Sequence, residues 1–518
     1  MTWQPEVDEI ERRKQLAYQL GGQERVERHQ SQGKLTIRDR IEALVDAGSF
    51  RERGVLAGRA EYEGDELKSF IPSNYVMGLA TLDGRRVVVG GDDFTVRGGA
   101  ADGAVGGKSG HAERMAREMR LPMVRLVDGT GGGGSVRTID NIGRTYVPGS
   151  SWEGITSMMA EVPVIAAAMG SVAGIGAARV AASHFSVIIR GTGQVFTAGP
   201  PVVERGIGVK VEKEELGGAQ IHARKSGVCD NEAEDEADAF RQIRAFLSYL
   251  PDNTWRLPER GPVQDAPDRR DEELLSVIPR DRRRPHNARR LLEHIFDRGS
   301  LFEVGRYFGR AVITMLGRLD GYPVAILAND PMAVGGSLDA DGSIKMAKFV
   351  DLADTFNLPV VNLVDQPGFM IGIAAEEAGT IKWGVRAMAA VNQATVPWAS
   401  VIIRRAYGVA GAAHQNQDRW NYRIAWPSGD WGSLPIEGGV QAAYRRDIEA
   451  AEDPDAYRAE LEAKFNAMRS PFRTAEAFNI EEIVDPRDTR PLLVAWTHDA
   501  YRVLETHPLG PKYRGMRP

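Results

Sequence analysis

Two stretches of this chain repeat one another at a fixed spacing, and that repeat constrains the fold more than any other feature. Residues 81–100 (TLDGRRVVVGGDDFTVRGGA) align without a gap on residues 318–337 (RLDGYPVAILANDPMAVGGS), 237 positions later. Gly84 meets Gly321, Asp93 meets Asp330, and the pair Gly98-Gly99 meets Gly335-Gly336. The same offset relates LPMVRLVDGTG (121–131) to LPVVNLVDQPG (358–368), which places Asp128 opposite Asp365. It becomes 234 for VPVIAAAMGSVAGIGAA (162–178) and VPWASVIIRRAYGVAGAA (396–413), and 251 for DAGSFRERG (46–54) and DRGSLFEVG (297–305). The fall from 251 to 237 means 14 extra residues in the first copy, expected in the polar stretch YEGDELKSFIPSN (62–74). Matched blocks in one order imply two copies of one domain. The reading is an N-terminal domain over 1–250, a linker over 251–287 and a C-terminal domain over 288–518. The linker segment is rich in Pro, Arg and Asp and reads as exposed. The acidic run DNEAEDEAD (230–238) reads as a solvated helix face.

Each copy has one coarse order. Apolar runs such as RRVVVGG (85–91) and YPVAILAN (322–329) read as buried strands, each followed by a Gly-Gly loop. HAERMAREMR (111–120) and IKMAKFVDLADTF (344–356) have apolar residues at helical spacing, stopped by Pro122 and Pro359. Strands MVRLVD and VVNLVD follow, then another helix and the strand VPVIAAAMG or VPWASVII. Alternating strands and helices, with short buried strands, define an α/β domain.

Several classes of function drop out. A net charge of −6 excludes a globally basic nucleic-acid binder, and the one cysteine, Cys229, excludes a disulfide framework or Cys-cluster metal site. The run Val162–Ala178 holds 17 uncharged residues, short of a membrane span and rich in Ala and Gly. With no apolar leader in the polar N-terminus, the expected compartment is the cytoplasm. No GxSxG or HExxH motif occurs, and His184, His222 and His414 read as structural. DGAVGGKS (102–109) fails as a phosphate loop because Asp102 stands where the first glycine is required. SIKM (343–346) resembles a biotin-attachment site, yet Lys345 is the repeat partner of Lys108. Both lysines therefore read as starting the same helix, with an anionic ligand at that helix start as the alternative.

The chain holds 57 glycines in 518 residues, above the usual share of roughly 7%. Many fall in turns matched between the copies. Ala173-Gly174-Ile175-Gly176-Ala177 and Tyr407-Gly408-Val409-Ala410-Gly411 each follow an apolar strand and precede a small-residue stretch able to open a helix. Backbone N–H groups at such a start can hold an oxyanion. That suits chemistry through a thioester enolate with little side-chain acid or base work; close helix packing is the alternative.

Four stretches carry a resemblance: TVRGGA (95–100), AGPPVVERGIGVKVEKEELGGAQIHARKSGVCD (198–230), FNLPVVNLVDQPGFMIG (356–372) and RRAYGVAGAA (404–413). Through them the chain resembles, over nearly its whole length, the carboxyltransferase (β) subunits of biotin-dependent acyl-CoA carboxylases of the propionyl- and methylcrotonyl-CoA type. The resemblance implies a tandem pair of crotonase-like domains. It implies that carboxybiotin, on a separate carrier protein, yields CO2 and a biotin enolate that removes the α-proton of an acyl-CoA. The thioester enolate then attacks CO2 through its α or vinylogous γ carbon. Carried onto this sequence, the thioester oxygen falls to the N–H groups of Ile175 and Gly176, and the biotin ureido oxygen to those of Val409 and Ala410. Gly98, Gly99, Gly131, Gly132, Gly174 and Ala412 fall on the acyl-CoA side, and Tyr407, Gly408, Gly368 and Phe369 on the biotin side. No metal is implied. The implied partners are a biotin carboxylase and biotin carboxyl carrier (α) subunit, within a homo-hexamer (a trimer of dimers) or mixed hexamer whose two loops face each other across a dimer interface; nucleic acid and membrane are not among them.

The sequence departs from that pattern in places. Ile175 replaces one of two adjacent glycines, and its β-branched side chain is expected to restrict the backbone and crowd the site. The run Asp128 to Ser135 has five glycines and reads as a flexible lining of the acyl-CoA side. A same-fold transcarboxylase or decarboxylase subunit and a non-catalytic subunit of a mixed complex are the alternative readings.

Overall fold

The computed structural model describes residues 2–512 other than 101–104, 106, 130–135, 137–138, 141–142, 146, 148–151, 264, 417–418 and 420. The chain forms two compact units, Met1–Arg256 and Leu257–Pro518.

The first unit is built on one seven-stranded sheet in the order β1 (Arg51–Glu52), β2 (Tyr75–Leu82), β3 (Arg85–Asp92), β4 (Met123–Val127), β5 (Val164–Ala168), β6 (Phe185–Ile189) and β7 (Asn231–Ala233). The first two pairings are antiparallel and the rest parallel. Every residue of β4, β5 and β6 is buried, as parallel strands covered on both faces require.

The second unit repeats this sheet with β8 (Phe302–Glu303), β9 (Val312–Leu319), β10 (Tyr322–Asn329), β11 (Val360–Gln366), β12 (Trp398–Tyr407), β13 (Tyr422–Ala425) and β14 (Glu482–Ile483). Parallel and antiparallel pairings fall in the same places. The register is the same to the residue. Val88 pairs with Met123 and Ala325 with Val360; Met123 pairs with Val164 and Val360 with Trp398; Arg51 pairs with Leu79 and Phe302 with Leu316. These partners are the ones that the offsets 237, 234 and 251 relate. The helices Ile37–Leu44 and Ala288–Ile295 match at offset 251 as well. Thr36 and Asn287 cap them by accepting from the N–H of Asp39 and Arg290.

The extra residues of the first unit form an antiparallel hairpin, Gly58–Glu63 with Glu66–Pro72, mostly exposed on its first strand and overlapping the stretch 62–74 where they are expected. The units also differ after their third parallel strand. In the second, β12 runs unbroken to Tyr407 and its end pairs with Asp430–Gly432. In the first, the strand breaks at Met169–Gly170, and Ser171–Ala173 pairs with Gln194–Phe196 as a separate ribbon.

The helices read at 111–120 and 344–356 span Lys108–Met119 and Ala340–Thr355. Left-handed Arg120 (φ 55°) and Asn357 (φ 58°) end the two segments two residues before each proline. Lys108 does start its helix. Lys345 does not: Asp339 caps that helix by accepting from the N–H of Gly342, so Lys345 lies more than a turn inside.

Two further expectations are corrected. The segment read as an exposed linker is docked over much of its length. Leu274 is buried in the core of the second unit, Arg269 donates to the carbonyls of His294 and Phe296, and Arg490 donates to that of Ala266. Its polar residues make specific bonds, and composition cannot separate those from solvation. The acidic run is likewise not all solvated. Asp230 accepts from the N–H of Ser186, Asp235 caps the helix Glu236–Ser248, and Glu236 is a buried partner of Arg40.

Candidate functional site

Each unit anchors the C-terminal end of its second parallel strand on one buried aspartate. Asp365 accepts from Nε and Nη2 of Arg404 (3.1 and 2.7 Å) and from Nε of Arg405 (2.6 Å). Burial opposes its charge, but the hydrogen bonds from Arg405 and Arg404 outweigh it and hold the carboxyl below the usual carboxylate range. Asp128 accepts from Nη1 of Arg40 at 2.9 Å, with Nζ of Lys34 at 3.7 Å. The cation thus comes from different places. The repeat equivalent of Arg404 is Gly170, and that of Arg40 is Leu291 in the core.

The two glycine turns occupy equivalent positions beside these anchors. Gly174 has φ 61° and ψ −126°, closed to residues with a Cβ, and is followed by the short helix Ile175–Ala181. Gly408 has φ 63° and opens the short helix Gly408–Ala412. A helix has no internal acceptor for its first N–H groups. Those of Ile175, Gly176, Val409 and Ala410 make no bond among the described residues. Ile175 does not restrict the turn, because its own backbone is helical and the unusual conformation falls one residue earlier.

Ile175 and Gly176 line a cavity of ≈ 240 Å³ within the first unit, together with Tyr75, Asp92, Arg125 and Arg179. Gly99 and Gly129 close one side of it, packed together so tightly that a Cβ on Gly99 would lie 2.8 Å from Cα of Gly129. Glu113 bridges the two guanidiniums, accepting from Nη2 of Arg125 and Nε of Arg179, both at 3.0 Å. Arg125 is 2% exposed, and its Nε has no partner among the described residues. Asp92 accepts from the N–H of Asp128 at 3.1 Å, and burial pushes its carboxyl up to about 7. In the second unit Asn329 occupies the equivalent place and accepts from the N–H of Asp365 at 3.0 Å.

The second unit holds a larger cavity of ≈ 500 Å³, lined by Tyr407, Pro367, Arg282, Arg404, Arg405 and Arg469 among others. The Tyr407 hydroxyl accepts from Nη2 of Arg469 at 2.6 Å, and Asp430 accepts from Arg469 and Arg282. Burial, followed by the neighbouring Asp430 carboxylate, pushes the Tyr407 phenol up to about 12, so it stays neutral. Val409 is exposed, Ala410 is buried, and Ala412 is exposed at the end of its helix. Gly368 and Phe369 lie elsewhere, on a short bridge to Leu338: Leu338 N–H donates to the Gly368 carbonyl, and the Phe369 ring fills the space beside Gly384.

Of the residues read from the sequence, the structure gathers Gly99, Ile175 and Gly176 around one cavity, with Gly174 capping the helix that carries the last two. Gly98 sits in the left-handed turn next to Gly99, and Gly131 and Gly132 lie outside the described residues. That turn has a counterpart at Val334–Gly336, where Val334 is held at φ 43° with its side chain half exposed. A β-branched residue is strained there. Val334→Gly is expected to raise stability by ~1 kcal/mol, read as a higher melting temperature. An unchanged or lower melting temperature would show that the turn carries no strain.

The three histidines are internal braces. His184 accepts from the N–H of Val164 and donates to the Met159 carbonyl, His222 bonds to the Val195 carbonyl, and buried His414 bonds to the Gly411 carbonyl. Lys345 donates to the Gly305 carbonyl, and Lys108 packs on the equivalent Gly54; burial lowers these amines to about 7 and about 8. Sequence reasoning missed Asp92, Glu113, Arg125 and Arg179. The available signal was Arg125, a charge in the middle of the apolar run MVRLV. Among the described residues no helix is long and apolar enough to cross a membrane, and no group of three or more His, Cys, Asp or Glu could hold a metal ion.

The comparisons with known proteins are consistent with one another. Residues 28–508 match the family described as carboxyl transferase domain. The chain is 34% identical to a propionyl-CoA carboxylase carboxyltransferase subunit of Haloferax mediterranei, over 96% of each chain. It is 33% identical to a methylmalonyl-CoA decarboxylase α subunit of Veillonella parvula, over 92% of this chain and 91% of that one. The crystal structure of transcarboxylase 12S with methylmalonyl-coenzyme A and methylmalonic acid bound superposes with a TM-score of 0.89, at 30% identity, covering 100% of this chain and 99% of that one.

Proposed function

The chain belongs to the carboxyl transferase domain family, and from that premise we propose that it moves CO2 from carboxybiotin, borne on a separate carrier protein, to an acyl-CoA through a thioester enolate. It is an enzyme of the crotonase-like fold in tandem. One observation supports the reading above the others. At repeat-equivalent positions a positive-φ glycine is followed by N–H groups that no described residue accepts from.

The residues fit the two groups the reaction brings together. On the acyl-CoA side, the N–H groups of Ile175 and Gly176 hold the thioester oxygen and carry the negative charge that develops on it. On the biotin side, those of Val409 and Ala410 hold the ureido oxygen. Carboxybiotin, when bound, supplies both the CO2 and the base for the α-proton. Each donor contributes about 3 kcal/mol to lowering the barrier. Tyr407, kept neutral and fixed by Arg469, lines the second-unit cavity without entering proton transfer. Gly98, Gly99, Gly131, Gly132, Gly174 and Ala412 remain assigned to the acyl-CoA side, and Gly368, Phe369 and Gly408 to the biotin side. A biotin carboxylase and carrier subunit are the partners this chemistry requires. By analogy with transcarboxylase 12S, which assembles as a hexamer, the assembly is a hexamer.

Purified protein, supplied with carboxylated biotin carrier, is expected to carboxylate at least one member of a broad acyl-CoA panel; no turnover with any member would overturn the reading. Ala410→Pro removes one donor on the biotin side and is expected to lower kcat by about 10²–10³-fold with the fold retained by circular dichroism. Turnover equal to that of the parent would remove Ala410 from the site. Similarity to the methylmalonyl-CoA decarboxylase subunit supports a second reading, the same transfer run from a carboxyacyl-CoA to free biotin. CO2 release that requires a membrane partner would favour it.

A further inference from the structure

The cavity beside the Ile175 turn has a counterpart in the second unit, and the two differ in a way the fold does not require. That counterpart has a volume of ≈ 30 Å³ and shares with the first cavity the repeat equivalents of much of its lining. Tyr75, Asp92, Ser109, Arg125 and Arg179 in the first unit stand opposite Val312, Asn329, Met346, Asn362 and Ala413 in the second. Glu113, behind the arginines, stands opposite Val350. The same backbone is therefore filled in one copy by apolar and neutral side chains, and opened in the other around charged ones. A buried charge cluster is costly, and a structural role would be met more cheaply by the second unit's packing.

The charges do not cancel with Asp92 protonated. Glu113 is shared by Arg125 and Arg179, which leaves one cation in excess among the described residues. Arg125 is almost completely buried, its Nη1 donates to the carbonyls of Arg179 and Ala182, and its Nε has no partner among the described residues. Arg179 lies on the cavity wall with its side chain 19% exposed. Asp92 is in no ion pair among the described residues, and its bond from the Asp128 N–H is one that Asn329 also makes. Its carboxyl group is thus not needed for the backbone contact.

We propose that this cavity binds a carboxylate at the distal end of a short acyl chain, paired with Arg179 and Arg125 and facing the Asp92 carboxyl group, so that the preferred substrates are ω-carboxyacyl-CoA thioesters. The inference rests on the assignment of the thioester oxygen to the Ile175 turn. A guanidinium pair with one committed counter-charge matches one further carboxylate. Protonated Asp92 adds a donor, and ionised Asp92 adds repulsion. The charged or titratable groups around Asp92 are Tyr75, Arg40, Glu113, Arg125, Asp128 and Arg179. Affinity for a distal carboxylate is therefore expected to fall as pH rises through about 7.

The test measures binding and turnover separately on the full chain. Calorimetry compares butanoyl-CoA with succinyl-CoA, pentanoyl-CoA with glutaryl-CoA, and ethylmalonyl-CoA as a carrier of an α-carboxylate. The distal-carboxylate thioesters are expected to bind at least about tenfold more tightly than their aliphatic partners, and Arg179→Gln is expected to erase the preference while aliphatic affinity holds. Asp92→Asn, which the second unit shows to fit this backbone, is expected to keep the preference and remove its pH dependence. Equal or tighter aliphatic binding overturns the inference, as does a preference confined to ethylmalonyl-CoA or one indifferent to Arg179→Gln. Rates with carboxylated carrier separate the two readings. Turnover of aliphatic thioesters alone sinks this inference and leaves the carboxyltransferase standing. Selective binding of succinyl- or glutaryl-CoA with no carboxylation of any thioester sinks the transferase and leaves the pocket.

Discussion

Gly170→Ala is expected to cost ~3–5 kcal/mol of stability in the first unit, enough to leave little soluble protein. A Cβ at this position would lie 1.8 Å from Oδ1 and 2.4 Å from Cγ of Asp128. That carboxylate cannot step aside. It is fully buried, held at 2.9 Å by Arg40, which is itself held by Glu236 at 2.7 Å. Moving Asp128 would strip buried Arg40 of one of its two counter-charges, and the single-atom clash becomes the loss of an ion network. Denaturant unfolding followed by tryptophan fluorescence measures the effect, with soluble yield as a second readout. A midpoint equal to that of the parent would show that the backbone at Met169–Gly170 yields cheaply, contrary to the packing.

Gly174→Ala is expected to lower kcat/KM by about 10²–10³-fold while the melting temperature falls only a few degrees. The dihedrals of Gly174, φ 61° and ψ −126°, are closed to alanine. The chain relieves the strain by turning the peptide that leads into Ile175, and the two donors then no longer converge. The equivalent change, Gly408→Ala at φ 63°, gives a contrast. Loss at Gly174 is expected to appear in the acyl-CoA half of the reaction, and loss at Gly408 in the carrier half. KM values for acyl-CoA and for carboxylated carrier separate the two. Full activity in Gly174→Ala would show that the turn does not hold the thioester oxygen.

Much of the fold was legible because the chain states it twice. The offsets between copies relate the strand pairs residue for residue, and one change of offset put the extra residues at 62–74, overlapping the hairpin 58–72. The turn was legible too, although the strained position is Gly174 and not the residue after it. What escaped was of another kind. Asp265, Asp271 and Arg269 look like linker residues until their partners are known. Glu236 looks solvated until Arg40 arrives from 196 residues away. Arg125, Arg179 and Asp92 are far apart in sequence, and only the sheet brings them to one cavity. Periodicity reports which face is buried, and does not report which charges meet there.

The anchoring cations carry a consequence for how two copies of one ancestor can drift apart. One copy neutralises its aspartate with Arg40 opposite a glycine; the other uses Arg404 opposite a leucine. In the first unit, passing to the other arrangement takes at least two exchanges, and each alone is harmful. Adding the strand arginine first collides with the aspartate, and removing the helix arginine first leaves that aspartate facing only a lysine at 3.7 Å. The two solutions are therefore separated by a valley that single mutations do not cross. A library that moves these residues into the first unit one at a time is expected to recover neither exchange; recovery calls for moving them together and replacing Glu236, which loses its buried partner when Arg40 is removed.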